Sequence, residues 1–272
     1  MLNYTKKSIT FEKNNYTLEG FSRSGLRTGI YLNEYDIMMD AGLYFDRQPK
    51  IILITHGHLD HVANLYSSLL GNINKSIVLA PPSCIDLLKY SLNGQHSVSL
   101  NKKSYFNKYR MIGLKDDYIV KLSKTFKITP YKLDHRIDTI GFGINIIGKK
   151  LNPLFKGKPH AELIALKRNG IDLNIVNDKP FILFCGDTSS MSLSKLPFKK
   201  YPFVIIECTF LDPEHYHEAM ERKHLHYADL EQIFNENQNT TFILIHFSTR
   251  YKDSKIKIFF ESKRHPNVIP FI

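Results

Sequence analysis

The chain has 272 residues, of which 43% are hydrophobic, so wholesale disorder is excluded and one large α/β domain or two small ones can bury a core. Its formal net charge of +11 favours polyanionic partners such as nucleic acid, although a composition rich in Lys and Asn is also typical of an AT-rich genome. Three cysteines without paired spacing argue against a disulfide framework, and neither a signal-peptide core nor a run of about 18 apolar residues is found, so we expect a cytoplasmic protein in a reducing compartment with no membrane span.

Short apolar runs alternate with amphipathic stretches in the first half of the chain. We predict strands over residues 17–21, 28–32, 36–39, 51–54 and 77–80, and helices over residues 61–70 and 82–92. The run 51–54 consists of four apolar residues, three of them β-branched, and a group of histidines follows it. Gly71 ends the first helix, and Pro81-Pro82 separates the last strand from the second helix.

The second half of the chain repeats this pattern. We predict strands over residues 118–122, 126–133, 140–147, 181–185, 203–206 and 242–245, and helices over residues 160–168, 227–235 and 253–264. Four buried strands, counting 51–54, are closely followed by residues that can bind metal or move protons: His56, Asp187, Glu207 and His246. Because ligands collect at loops beyond the carboxyl ends of strands, we expect these residues to share one site.

Four potential metal ligands, His56, His58, Asp60 and His61, lie within six residues after the first of these strands. Imidazole and carboxylate groups together suit Zn²⁺, and a tight loop in which Gly57 permits an unusual dihedral can turn all four inward. Two cations roughly 3.5–4 Å apart can stabilise both the attacking and the leaving oxygen in a hydrolysis. The plain alternative is a solvated polar loop, but three histidines and an aspartate after a buried strand are improbable by chance.

This segment resembles the His-x-His-x-Asp-His signature of the metallo-β-lactamase superfamily. The resemblance implies an α/β protein with the superfamily's four-layered αβ/βα sandwich, with residues 1–272 forming a single domain. It also implies two Zn²⁺ ions, with Mn²⁺ as the alternative metal. The superfamily takes three further ligands from later in the chain, and the residues in the matching order are His135, Asp187 and His246.

By resemblance, one ion is bound by His56, His58 and His135, the other is bound by Asp60, His61 and His246, and Asp187 bridges the two. Asp60 would also accept a proton from the attacking water. Taken singly, His135 is equally well explained as a surface histidine, and Asp187 as a carboxylate that caps a turn. Together, in this order and at strand ends, the three residues favour the metal site.

Two later motifs resemble ribonuclease Z, the tRNA 3′-processing endoribonuclease family, in its short form. One is Glu-Cys-Thr-Phe at 207–210, followed by a histidine that opens a helix, and the other is His-Phe-Ser-Thr-Arg-Tyr at 246–251. The stretch 16–32 looks like the start of the same form. The resemblance spans nearly the whole chain. It implies a zinc-dependent endoribonuclease that removes the 3′ trailer from precursor tRNA, leaves a tRNA 3′-hydroxyl and works as a homodimer.

Cleavage of a phosphodiester expels a ribose oxygen, which needs a proton. We predict that His226 supplies it and that Glu207 orients the ring, because the family histidine directly precedes a helix. His224, two residues away, is the competing donor. The alternatives are a salt-bridged carboxylate at 207 and an ordinary helix-terminal residue at 226. Arg250 could bind a phosphate through two parallel hydrogen bonds, or pair with a surface acid.

Residues 148–174 form a Lys-rich segment between the third histidine and the bridging aspartate. Ribonuclease Z proteins carry a flexible arm in this interval that clamps the tRNA elbow, and the segment resembles a short version of it. Lys167 and Arg168 are our candidate substrate-binding residues there; a solvated Lys-rich loop is the alternative. A second basic and aromatic stretch, 102–110, could touch RNA or pack on the core.

Two other functions fit parts of this pattern. A small-molecule metallo-hydrolase, such as a cyclic-nucleotide phosphodiesterase or a thiolester hydrolase, would use the same metal site, but the net charge and the Lys-bearing arm disfavour it. A non-catalytic RNA-binding relative is disfavoured by the complete ligand set. A nuclease with an added β-CASP domain needs more chain than is present here.

Overall fold

The computed structural model describes residues 6–11, 15–71, 75–116 and 118–272. The strands in these ranges form two seven-stranded β-sheets. The first sheet contains, in spatial order, β1 (Lys7–Phe11), β2 (Tyr16–Arg23), β3 (Arg27–Leu32), β4 (Ile37–Met39), β5 (Ile51–Leu53), β6 (Ser76–Ala80) and β7 (Tyr109–Gly113). Strands β1 to β4 pair antiparallel, and β4 to β7 pair parallel.

The second sheet mirrors this mixed arrangement. It contains β8 (Val120–Lys121), β9 (Phe126–Leu133), β10 (Thr139–Leu151), β11 (Asn174–Phe184), β12 (Phe203–Glu207), β13 (Thr241–Ile245) and β14 (Val268–Pro270), which lie side by side in that order. Strands β8 to β11 pair antiparallel and β11 to β14 pair parallel. The carboxyl ends of the parallel strands lead into the loops that carry the predicted site residues.

In the described part of the chain, seven α-helices lie between the strands. They are α1 (Leu59–Val62), α2 (Leu65–Leu70), α3 (Ile85–Leu100), α4 (His160–Arg168), α5 (Tyr216–Arg222), α6 (Tyr227–Glu236) and α7 (Asp253–Lys263). Short 3₁₀ helices precede several of them, for example Pro82–Cys84 before α3 and Pro213–His215 before α5. Within the described ranges, none of the helices has the length and apolar character that a membrane crossing requires.

The apolar side chains of the strands divide between a central layer and two outer layers. Ile51 and Leu53 of β5 face the opposite sheet, whereas Ile52 packs on the outer side with residues of α2 and α3. In β12, Ile205 faces inward while Val204 packs outward with α6 and α7. This alternation follows from the two-residue period of a strand. The resulting layers, helix, sheet, sheet and helix, confirm the predicted sandwich.

Most predicted elements are present, and the differences have local causes. The helix predicted over 61–70 is interrupted at Asn64, whose backbone and side-chain amides donate to the carbonyls of Ala41 and Gly42 at 2.8 and 2.7 Å. The helix predicted over 82–92 extends to Leu100, and its additional turns contact α2 through His96 and Ser99, which lie 3.1 and 3.3 Å from the Tyr66 hydroxyl. Strands β1, β7 and β14 were not predicted.

Candidate two-metal active site

The loops after β5, β11, β12 and β13 converge at one edge of the sandwich. Two of them make sharp turns: His246 has φ +63° and Gly186 has φ +56°. A Cβ on Gly186 would lie 2.6 Å from Thr55, so only glycine allows the two loops to approach this closely. The strand ends that the sequence predicts to share one site therefore lie together in the structure.

Histidines from the loops after β5 and β9 form the first group of candidate ligands. The Nε2 atom of His56 lies 3.0 Å from Nδ1 of His58, and Nε2 of His135 lies 3.3 Å from the same Nδ1. The Oδ2 atom of Asp187 is 3.8 Å from Nε2 of His56. One potential ligand atom from each of these four residues lies within 4.8 Å of the others.

A second group adjoins the first. The Oδ2 atom of Asp60 lies 3.6 Å from Nε2 of His61 and 3.6 Å from Nε2 of His246. The Asp187 Oδ2 atom reaches this group as well, at 3.4 Å from His61 Nε2 and 3.3 Å from His246 Nε2. All seven residues that the resemblance assigned to the metals therefore lie together, with Asp187 between the two groups.

Hydrogen bonds behind the rings fix which nitrogen faces the centre. His61 Nδ1 contacts a carboxylate oxygen of Asp40 at 2.7 Å, His135 Nδ1 donates to the carbonyl of Lys223 at 2.9 Å, and His246 Nδ1 contacts Thr209 Oγ1 at 3.0 Å. Such contacts orient metal-binding imidazoles and leave Nε2 free to bind.

Asp40 was not singled out in the sequence, although it directly follows β4 in the same way that the predicted residues follow their strands. It is fully buried and also accepts hydrogen bonds from the backbone and hydroxyl of Thr55. The hydroxyl of Thr55 in turn lies 2.9 Å from His56 Nδ1. Asp40 therefore supports one histidine of each group, and the strand-end pattern could have found it.

The donor set fits divalent cations. Among the described residues, His61 Nε2, His246 Nε2 and Asp187 Oδ1 are buried atoms that lack a hydrogen-bond partner, and all three are at this centre. Burial and the neighbouring His61 hold the pKa of His56 well below its usual range, which leaves a neutral ring able to bind metal. Four or more imidazole and carboxylate groups at this spacing suit Zn²⁺.

A buried carboxylate links this centre to another histidine. Glu207 is fully buried and accepts hydrogen bonds from the backbone N–H groups of Thr188 at 2.7 Å and Leu225 at 3.1 Å. Its Oε1 lies 2.9 Å from Nδ1 of His224. The His224 ring stacks on the His246 ring, with centroids 5.2 Å apart. Burial lowers the pKa of His224, but Glu207 and Asp187 raise it to about 9.

The prediction that His226 pairs with Glu207 is wrong. The His226 side chain caps the start of α6 by accepting from Ala228 N at 3.1 Å, and its Nε2 donates to the Asp212 carbonyl at 3.0 Å. Both ring nitrogens are therefore used in holding the helix end, away from Glu207. His224, the competing candidate, occupies the predicted position beside the carboxylate.

Asp60 has a second neighbour that the sequence did not indicate. The N–H of Gly25, in the turn between β2 and β3, donates to Asp60 Oδ2 at 3.1 Å. Gly25 has φ +69°, a conformation that suits glycine. In the same hairpin, Ser22 Oγ accepts from the N–H of His246 at 3.0 Å. The hairpin of the first sheet therefore holds two members of the second ligand group.

The candidate substrate-binding residues are not part of the two ligand groups. The Arg250 guanidinium donates two hydrogen bonds to the Glu218 carboxylate, at 3.0 and 2.9 Å, which is the surface-acid alternative. Lys167 and Arg168 are exposed in the last turn of α4. In the stretch 102–110, Phe106 is buried against Tyr66, so this aromatic ring packs on the core.

The segment 148–174 extends from the second sheet as a folded arm. Residues Gly148 to Leu151 of β10 pair antiparallel with Asn174 to Asn177 of β11. The paired strands carry a 3₁₀ helix, Pro153–Phe155, and α4 between them. Six basic and two acidic residues lie in this interval, so the arm is positively charged.

No family model matches the chain. It is 27% identical to "tRNase Z TRZ2, chloroplastic" of Arabidopsis thaliana over 281 residues, covering 97% of this chain and 77% of that protein. Further curated relatives are named tRNase Z or ribonuclease Z. The crystal structure of human tRNase Z, short form, superposes with a TM-score of 0.59 at 16% identity, covering 93% of this chain and 95% of that one. The metallo-β-lactamase fold protein YhfI of Bacillus subtilis superposes with a TM-score of 0.62 at 14% identity, covering 92% and 93%. The chain therefore has the metallo-β-lactamase fold and is a homologue of proteins named tRNase Z or ribonuclease Z.

Proposed function

We propose that the protein is a metal-dependent endoribonuclease that removes the 3′ trailer from precursor tRNA and leaves a tRNA 3′-hydroxyl. The observation that carries the proposal is that seven potential metal ligands, in two adjoining groups, lie beside the Glu207–His224 pair. Hydrolysis of an RNA phosphodiester uses both parts, because one activates water and the other protonates the leaving ribose oxygen. The names of the curated relatives support tRNA as the substrate.

The metals we propose are two Zn²⁺ ions, with Mn²⁺ as the alternative. His56, His58 and His135 would hold one ion, and Asp60, His61 and His246 would hold the other, because each set of three lies together. Asp187 lies close to both sets and would be shared. When bound, such a pair supplies Lewis-acid catalysis for the in-line displacement. Five of the seven proposed ligands are imidazole groups, whose borderline nitrogen donors favour Zn²⁺ over Mg²⁺.

Asp60 is our candidate for the group that accepts a proton from the attacking water. Burial would raise its pKa, but the hydrogen bond and charges of His246 and His61 lower it, so the carboxylate is ionised. The Gly25 N–H holds Oδ2 in place at 3.1 Å. An ionised carboxylate beside the attacking water can take its proton.

His224 is our candidate for the proton donor to the leaving O3′ of the tRNA. Its Nδ1 is held by Glu207, so the opposite nitrogen, Nε2, is the one left to face a substrate. Glu207 is in turn fixed by backbone donors from the loops after β11 and before α6. This is the arrangement of an acid with an orienting carboxylate.

RNA binding is assigned in this proposal to the arm, the segment 148–174. Lys167 and Arg168 are proposed phosphate contacts, because they are exposed at the end of α4 and have no ion-pair partner within the part of the chain that is described. Arg250 is a further proposed contact and would exchange Glu218 for a phosphate to make it.

Charge reversal on the arm should weaken RNA cleavage selectively. The double variant Lys167→Glu, Arg168→Glu should lower kcat/KM for precursor tRNA about tenfold and flatten its salt dependence, because about two phosphate contacts are lost. Hydrolysis of bis(p-nitrophenyl) phosphate should not change. Lys257→Glu, Arg264→Glu is the matched control, since both residues are exposed on α7 or at its end, outside the arm. Equal losses in the two double variants would contradict the assignment.

We also propose that the protein is a homodimer. Leu87, Tyr90 and Val98 form an apolar stripe on α3 and are 72%, 82% and 82% exposed. A second copy of the chain would bury this stripe through a symmetric contact. Tyr90→Glu should therefore convert the protein to a monomer in light scattering, whereas Tyr118→Glu, at another exposed tyrosine, should not. A monomeric parent protein would refute the proposal.

The proposed compartment is a reducing one, the cytoplasm. Cys84, Cys185 and Cys208 are all buried free thiols. Burial raises the pKa of each of them, so all three are protonated and unreactive.

The direct test supplies purified protein and Zn²⁺ or Mn²⁺ with a precursor tRNA, a cyclic nucleotide and bis(p-nitrophenyl) phosphate. The proposal expects a single cut at the start of the 3′ trailer. Hydrolysis of the cyclic nucleotide or of bis(p-nitrophenyl) phosphate with an uncut precursor would favour a small-molecule hydrolase instead.

A further inference from the structure

An open cavity of about 1000 Å³ lies beside the first ligand group and has no part in the chemistry proposed above. We call it the methionine pocket, because Met191 and Met220 line it with side chains that are 73% and 53% exposed. The buried residues Leu133 and Leu196 also line it. Its volume is at the upper end of the range for small-ligand sites and exceeds that of a nucleoside.

The pocket wall and the ligand groups share backbone. Leu133 lies two residues before His135 on the same chain segment, at the end of β9. Lys223, another wall residue, accepts a hydrogen bond from His135 Nδ1 at its carbonyl and directly precedes His224. A nucleic acid strand with its scissile phosphate at the ligand groups would therefore place a neighbouring nucleotide at the pocket.

The lining suits an unpaired nucleotide. Apolar thioether side chains such as those of Met191 and Met220 adapt to flat surfaces and can cover the face of a base. Ser190 and Ser192 bring hydroxyl groups that can donate or accept. Lys195, also in the wall, has no ion-pair partner among the residues that the structure describes and can approach a phosphate. Single-stranded RNA is recognised in this way, by stacking together with backbone charge.

The position of His224 decides which nucleotide this is. The leaving O3′ belongs to the nucleotide that stays with the tRNA, and His224 is its proposed proton donor. Because Lys223 of the pocket wall is the residue next to His224, the pocket lies on the leaving-group side of the scissile phosphate.

We propose that the methionine pocket binds the base of the unpaired nucleotide immediately 5′ of the cleaved bond, which becomes the 3′ end of the product tRNA. This inference rests on the proposed function and adds a subsite for the substrate to it. It assigns the exposed Met191 and Met220 side chains to base stacking.

A thermodynamic cycle between base and pocket tests the inference. Three precursor tRNAs are compared: one intact, one abasic at the nucleotide 5′ of the cleaved bond, and one abasic at the first trailer nucleotide. The enzymes are the parent protein, the double variant Met191→Ala, Met220→Ala, which we call the pocket variant, and the control Ile258→Ala, which truncates an apolar residue that is 66% exposed on α7. Hydrolysis of bis(p-nitrophenyl) phosphate reports whether the ligand groups remain intact.

Removal of the 5′-side base should lower kcat/KM of the parent protein at least about fivefold, the effect of one lost stacking contact. The pocket variant should show a similar loss on the intact precursor and no further loss on that abasic one. Ile258→Ala should behave as the parent, and all variants should hydrolyse bis(p-nitrophenyl) phosphate equally.

The inference is overturned if the pocket variant and the missing 5′-side base lower kcat/KM independently of each other. It is also overturned if the effect of the pocket variant depends on the first trailer nucleotide instead. Both results require that the parent protein cleaves the precursor. If the parent leaves every precursor uncut but hydrolyses bis(p-nitrophenyl) phosphate, the proposed function fails and the subsite with it.

Discussion

Asp60→Ala should lower kcat for precursor tRNA cleavage by about 10³-fold or more, because it removes both a proton acceptor and a proposed metal ligand. RNA binding should be largely retained, since Asp60 lies in the ligand group rather than on the arm. Single-turnover cleavage gives the rate, and filter binding of the uncut precursor gives the dissociation constant.

Asp60→Asn separates the two roles of this residue. The amide oxygen can still accept from Gly25 N–H and face the cations, but the side chain cannot accept a proton. We expect Asp60→Asn to bind more metal than Asp60→Ala, measured by atomic absorption, but to cleave precursor tRNA no faster. Unaltered cleavage in either variant would remove Asp60 from the mechanism.

His224→Ala should lower kcat for precursor tRNA by about 10²- to 10⁴-fold, the usual contribution of a general acid. The ribose oxygen leaves poorly without a proton, whereas p-nitrophenolate is a stable anion that needs none. Hydrolysis of bis(p-nitrophenyl) phosphate should therefore be affected much less. A structural role for His224 would impair both substrates equally.

His226→Ala is the matched control for this prediction. Its ring caps α6 and contacts the Asp212 carbonyl, so its loss should cost about 1 kcal/mol of stability, measured by urea unfolding. Cleavage of precursor tRNA should stay within a few-fold of the parent. A large catalytic defect in His226→Ala, with His224→Ala active, would restore the assignment made from the sequence.

The metal centre could be predicted because its parts are local in the sequence. His56, Asp187 and His246 each follow an apolar run closely, and the carboxyl ends of such strands meet at one edge of a sheet. The resemblance then gave the order of the ligands. The layered fold followed from the same resemblance and agrees with the side-chain alternation in β5 and β12.

The proton donor could not be assigned from the sequence because spacing does not show how a ring is used. His224 and His226 are two residues apart, and the family pattern of a histidine directly before a helix favours His226. The capping of α6 by His226 is a contact within one turn, whereas the His224 contact spans 17 residues. Only the packing of β12 against the segment before α6 decides between them.

Contacts between distant segments were likewise invisible in the sequence. Gly25 reaches Asp60 across 35 residues, and Ser22 reaches His246 across 224. The arm was recognised by its composition, yet its paired strands and the contact of Arg250 with Glu218 depend on the tertiary structure. These contacts arise from loop conformation, which apolar periodicity does not describe.

The most direct test of the central claim is to map the cleavage site on a precursor tRNA with and without a chelator. We predict one cut, directly 3′ of the unpaired nucleotide that follows the acceptor stem, with a 3′-hydroxyl on the tRNA and complete loss of cleavage on chelation. Restoration by Zn²⁺ or Mn²⁺ should follow. Cleavage that persists in the chelator, or cuts scattered through the RNA, would contradict the account.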